Sequence, residues 1–202
     1  MWKCTNCHHV ELSTDKPQRC PVCGAEAGKL VPHEVSGIKG TKTLKNIKAG
    51  FVAESQAHLR NLAFAMKAEQ EDYAQVARLF RAIAEAEAVH AFNHFRLLGA
   101  VSGTQENLES AFERENLASN VYPQFVREAN EENNTSVATT FSYSRDVEKG
   151  HAKLYKKALA HMMAGEETEY YVCQVCGHVS DGFLPDECPI CGAPKEKFRK
   201  VV

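Results

Sequence analysis

No cysteine lies between Cys23 and Cys173, although the chain of 202 residues holds eight. A disulfide framework would cross-link the body of a fold, so that use of the cysteines is disfavoured and metal ligation in a reducing compartment is expected. No apolar run approaches the roughly 18 residues that cross a bilayer, so no membrane association is expected. The first residues, MWKCTNCHHV, do not pair a charged leader with an apolar segment. No signal peptide is therefore expected, and the expected compartment is the cytoplasm. Neither sign of charge dominates: 24 Lys and Arg face 26 Asp and Glu. Without a basic stripe, neither a nucleic acid nor an anionic membrane has electrostatic support as a partner.

What is present falls into three parts. The eight cysteines form four Cys-x-x-Cys pairs, two near each end. Cys4, Cys7, Cys20 and Cys23 lie in the first part, expected as a domain over residues 1–34. Cys173, Cys176, Cys188 and Cys191 lie in the last, expected over 167–202. Pro and Gly are frequent in both and helical periodicity is absent, which predicts short strands and tight knuckles. Neither part is large enough for a useful apolar core, so a bound metal must supply much of its stability. Four thiolates from two knuckles form a tetrahedral sulfur site suited to zinc or to a single iron.

The middle part, 35–166, is rich in Ala, Glu, Leu and Phe at helical spacing. The pattern predicts four helices, roughly 43–70, 73–99, 105–131 and 134–163, with breaks at SGTQEN and NEENN and a kink at Pro123. Four antiparallel helices with short loops make a bundle.

Within the second helix, AEAEAVHA places Glu87 and His90 one turn apart on one face. Alone, such a pair reads more readily as a solvated carboxylate and a packed histidine. It is not alone, because Glu148 and His151 repeat it 61 residues later. The same shift aligns Glu54 with Glu115, Phe64 with Phe125, Ala68 with Ala129 and Phe80 with Phe141. The first two helices are therefore a repeat of the last two. Each half carries one Glu and, 33 residues on, a Glu-x-x-His. Four carboxylates and two imidazoles, Glu54, Glu87, His90, Glu115, Glu148 and His151, then match the ligand set of a di-iron or di-manganese carboxylate site. Buried without metal, four carboxylates would repel one another and be desolvated. His58 and His94 follow ligand positions by one turn and read as packed or partly exposed histidines.

The stretches GFVAESQAHLRN, AEAEAVHA and ENLASNVYPQF resemble the first three bundle helices of rubrerythrins, and CQVCG with CPICG resembles their rubredoxin-like domain. The resemblance implies a mainly α, ferritin-like four-helix bundle flanked here by two rubredoxin-like domains. It implies two irons in the bundle and one iron, or zinc, in each Cys4 site, with iron or zinc left open at the N-terminal site. It further implies a homodimer or larger oligomer that reduces hydrogen peroxide to water in oxidative-stress defence. Electrons would come from NAD(P)H through a reductase and rubredoxin, and would pass from a rubredoxin-like domain to the partner subunit's di-iron site. Two departures stand out. Rubrerythrins usually carry a further glutamate where this chain has Ala118, and a tyrosine where it has Asn61. The missing carboxylate predicts a more symmetric site in which His90 stays bound. It also leaves an oxygen-reducing oxidase or ferroxidase as an alternative. A non-catalytic zinc-bound adaptor or electron carrier is the remaining one.

Overall fold

The computed structural model describes residues 1–8, 10–11, 15–33, 37–161 and 167–202. The domain boundaries expected at 34/35 and 166/167, and the end of the fourth helix at 163, fall at or within segments outside them. The described chain divides into two compact units, Met1–Val101 and Ser102–Val202.

The first unit opens with a small antiparallel sheet of β1 (Trp2–Cys4), β2 (Val10–Glu11) and β3 (Leu30–Pro32), with β1 in the centre. Helices α1 (Lys42–Gln70) and α2 (Ala74–Leu97) then form an antiparallel hairpin. Thr41 starts α1, its hydroxyl accepting from the Leu44 N–H at 3.2 Å, so one of the unpaired first-turn donors is satisfied. The seam of this hairpin is made of small side chains. Ala65, Ala68, Ala77, Ala84 and Ala91 are all buried, which lets the two backbones approach closely.

The second unit repeats the plan. Helices α3 (Thr104–Glu131) and α4 (Thr135–His161) pair over Ala129, Ala138, Val147 and Ala152. The Asn107 side chain clasps the Ser102 backbone N–H and C=O, each at 2.9 Å, at the start of α3. The helix continues through Pro123, whose missing N–H removes the bond that the Ser119 carbonyl would accept. A second sheet follows, β4 (Tyr170–Cys173), β5 (Val179–Asp181) and β6 (Phe198–Lys200), with β4 in the centre.

The 61-residue repeat is visible atom by atom. Asp72 and Asn133 both take left-handed backbone at the hairpin turns, φ 61° and 59°. The next N–H closes each turn, Tyr73 onto the Ala68 carbonyl and Asn134 onto that of Ala129. The Phe64–Phe80 rings meet at 5.5 Å and so do those of Phe125 and Phe141. The protein is thus mainly α, its ferritin-like helices arranged as two equivalent hairpins, with a rubredoxin-like Cys4 module at each end.

Candidate metal centres

Each terminal module brings its four cysteines together as free thiols. The separations are 3.7 Å for Cys4–Cys23, 3.6 Å for Cys7–Cys20, 3.8 Å for Cys173–Cys191 and 3.6 Å for Cys176–Cys188. A disulfide needs about 2.05 Å. Four sulfurs about 2.3 Å from a central ion sit about 3.8 Å apart, so these donors fit a tetrahedral metal.

The knuckles explain the spacing. In each, the residue after the second cysteine turns back to hydrogen-bond the first cysteine's carbonyl at 2.9 Å. That turn needs positive φ: 70° at Gly24, 84° at Gly177 and 72° at Gly192. The fourth knuckle has His8 at φ 62°, the one position where a side chain bears the strain. Burial pushes the Cys176 and Cys191 thiols up. Burial opposes ionisation of Cys173 as well, but N–H groups of Cys176 and Val175 outweigh it and hold the thiol below its usual range. At the other end, the Asn6 amide donates to Cys23 Sγ at 3.5 Å and, with the Ala25 N–H, lowers that exposed thiol to about 6. Backbone and amide donors thus favour the thiolate at one cysteine of each cluster, Cys23 and Cys173, while burial disfavours it at Cys176 and Cys191.

Within the helical hairpins the expected carboxylates and histidines assemble as two triads. Glu54 on α1 meets Glu87 and His90 on α2, and Glu115 on α3 meets Glu148 and His151 on α4. In each triad the three donor atoms lie within 4.8 Å of one another. His90 Nδ1 stands 2.9 Å from Glu87 Oε2, and His151 Nδ1 stands 3.2 Å from Glu148 Oε2 and 4.0 Å from Glu115 Oε2. Two carboxylates and a nitrogen are hard-to-borderline donors of the kind that take iron, manganese or zinc. Burial, with Glu148 alongside, raises Glu115 to about 7. Crowding of that sort is what a bound cation relieves.

The triads are not equally enclosed. The His90 side chain is 56% exposed, against 24% for His151. The difference lies in what stands behind the second ring: His151 Nε2 is 3.2 Å from the Gly177 carbonyl in the C-terminal module. The expected symmetry thus holds for the ligand types and not for their surroundings. The sequence marks Gly177 as a knuckle glycine and not as a neighbour of His151, because a contact through a backbone carbonyl leaves no mark there.

The two histidines set apart above take structural places. His58 Nδ1 lies 2.8 Å from the Ala84 carbonyl and ties α1 to α2. His94 packs against Gly50, where an added Cβ would come within 3.0 Å of Nε2. Ala118, on the helix face that carries Glu115, adds no donor. Asn61 donates its amide to the Ala57 carbonyl at 2.9 Å.

Comparison with known proteins agrees with these arrangements. The family model for rubrerythrin matches residues 45–107 and again 106–179, one copy for each hairpin. The model for the rubrerythrin rubredoxin-like domain matches 2–30 and 171–199. A rubrerythrin of Porphyromonas gingivalis is 35% identical over 81% of this chain and 92% of its own length. Nigerythrin of Nitratidesulfovibrio vulgaris is 33% identical over 77% and 85%. Rubrerythrin-2 of Clostridium acetobutylicum is 32% identical over 80% and 98%. With carboxylate–histidine triads for a di-iron centre, Cys4 sites for single irons and family models matching from residue 2 to 199, the chain belongs to the rubrerythrin family.

Proposed function

We propose that this protein is a non-haem di-iron peroxidase that reduces hydrogen peroxide to water with electrons from NAD(P)H. The observation that carries the reading is the pair of repeat-related triads, Glu54/Glu87/His90 and Glu115/Glu148/His151, in a chain with a Cys4 module at each end. The six residues are the ligands in this reading, and each triad supplies two carboxylates and one imidazole nitrogen. When bound, the iron pair supplies two electrons together and each Cys4 iron one at a time.

The chain's own residues add three things. Nδ1 of His90 and of His151 faces carboxylates, so each ring offers that nitrogen to a metal. Glu115, poised at about 7, is a group able to hold or release a proton near neutral pH. The donors that lower the Cys23 and Cys173 thiols also favour the thiolate form that a metal takes. A second copy of the chain is part of the proposal. Leu59, Phe92 and Leu117 are 66%, 61% and 65% exposed, more apolar surface on the hairpins than a free-standing unit leaves to water. Reduced rubredoxin, itself reduced by an NAD(P)H-dependent reductase, is the proposed donor. Among the described residues no helix is long and apolar enough to cross a membrane, and the cytoplasm is the proposed site of action.

Ala118 favours one other reading, a di-iron oxidase that takes molecular oxygen, since it removes a carboxylate from the site. Anaerobic single turnover separates the two. Fully reduced protein is mixed with hydrogen peroxide or with oxygen, and the visible absorption of the oxidised Cys4 iron is followed. Faster recovery with peroxide supports the peroxidase, faster recovery with oxygen the oxidase, and protein without that absorption refutes iron in the modules.

A further inference from the structure

The two Cys4 modules share a fold and differ around their sulfurs. The Ala25 and Ala193 N–H groups serve Cys23 and Cys191 alike. In the first knuckle, however, the residue before the second cysteine is Asn6 at one end of the chain and Val175 at the other. The Asn6 amide donates to Cys23 Sγ at 3.5 Å, and a valine has no donor to offer. In the second knuckle, Ile190 and Cys191 pack against the buried cluster of Cys173, Cys188 and Ala193. Their counterparts Val22 and Cys23 are both exposed. Charge differs as well: residues 1–34 carry four Lys and Arg against four Asp and Glu, and residues 167–202 carry four against six.

A single iron held by four thiolates bears one negative charge when ferric and two when ferrous. Whatever stabilises the added negative charge raises the reduction potential: a hydrogen bond to sulfur, access of water, and fewer anions nearby. All three contrasts favour the ferrous form at the N-terminal site. Surface charges are screened over roughly 8 Å at physiological salt, so the donor in direct contact with sulfur outweighs the acidic excess further out.

Resting on the reading that each module holds one iron, we propose that the N-terminal centre has the higher reduction potential of the two and that Asn6 sets the difference through Cys23. At equilibrium the first electron delivered by the rubredoxin-type donor rests on the N-terminal iron, which passes from ferric to ferrous with its four thiolates in place. The C-terminal iron is filled second and is the stronger reductant, so it has the greater driving force to return electrons to the di-iron centre. The two ends of the chain are not interchangeable copies: one holds an electron and the other gives it up.

The test is an anaerobic potentiometric titration of the full iron-loaded chain, followed by the visible absorption of the ferric Cys4 centres. Two one-electron steps are expected. Cys7→Ser with Cys20→Ser should remove the higher step, and Cys176→Ser with Cys188→Ser the lower. Asn6→Val should lower the N-terminal step and leave the other in place. It should move the equilibrium between the centres about tenfold, which is about 59 mV for one electron. Val175→Asn should raise the C-terminal step, and the two exchanges together should narrow the gap further. Coincident or inverted steps in the parent, or an Asn6→Val variant whose two steps match the parent's, would overturn the proposal. A single step with zinc found at the N-terminal site refutes iron there. The same chain refolded with iron alone then still decides whether Asn6 sets the order.

Discussion

Glu115 offers a test in which stability and function move in opposite directions. Its carboxyl is raised from an ordinary 4.5 to about 7, first by burial and then by Glu148. The folded metal-free protein therefore holds a proton between pH 4.5 and 7 that the unfolded chain has released. Stability rises with pH only where the unfolded state binds more protons; here the folded state does, so Glu115 makes the apo-protein less stable as pH climbs through that window. The difference between 4.5 and about 7 corresponds to about 3.4 kcal/mol. Partial solvent access, with 22% of the side chain exposed, reduces this to about 1–2 kcal/mol at pH 8.

Glu115→Gln removes the charge and keeps the shape. Metal-free variant protein should melt a few degrees above the parent at pH 8, at about 2–4 °C per kcal/mol for a chain of this size. At pH 4 the two should nearly coincide, because Glu115 is protonated in the folded parent and mostly protonated in the unfolded chain. Added iron(II) or manganese(II) should reverse the order. A ligand at 100 times its dissociation constant stabilises the parent by about 2.7 kcal/mol, and the variant has lost a donor. Calorimetry of both proteins at pH 4, 6 and 8, with and without metal, gives all the comparisons. Parallel pH profiles for parent and variant without metal would refute the reasoning about Glu115.

Three further outcomes are expected. Glu148→Ala should lose bundle metal while leaving the Cys4 centres intact, read by metal analysis alongside the visible spectrum; unchanged bundle metal would remove Glu148 from the ligand set. His8→Gly relieves the one left-handed knuckle position that bears a side chain. It should stabilise the metal-loaded N-terminal module by about 0.5–1 kcal/mol, seen as slower metal loss to a chelator. Ala84→Leu forces a branched side chain into a fully buried seam position between α1 and α2, and should destabilise the first unit by about 1–3 kcal/mol or more in denaturant melts.

What the sequence made legible follows from periodicity. Helical spacing gave α1 to α4 within a residue or two of their observed ends over the described residues, because apolar and small side chains at that spacing form the hairpin seams. The same regularity exposed the 61-residue repeat, and the repeat turned a weak Glu-x-x-His into two matched triads. Cysteine spacing worked for a related reason: a knuckle is a local structure, closed by the backbone bond from Gly177 to Cys173 and its three counterparts. The left-handed turns at Asp72 and Asn133 were readable in principle, since Asp and Asn tolerate that conformation, but each carries only a single-residue signal.

The difference between the triads was not legible, and the reason is physical. Glu87/His90 and Glu148/His151 are identical as motifs, so nothing in either says that one ring is more open to water and the other held by a carbonyl. That distinction arises from packing between α4 and a strand module 26 residues further along the chain, through an atom every residue possesses. A duplicated sequence thus yields two equivalent ligand sets. The duplication stops at the helices, however, and the module packed against α4 gives one set a support that Glu-x-x-His alone does not encode. Local motifs specify which atoms can bind a metal; the tertiary contact to Gly177 specifies how firmly one of them is aimed.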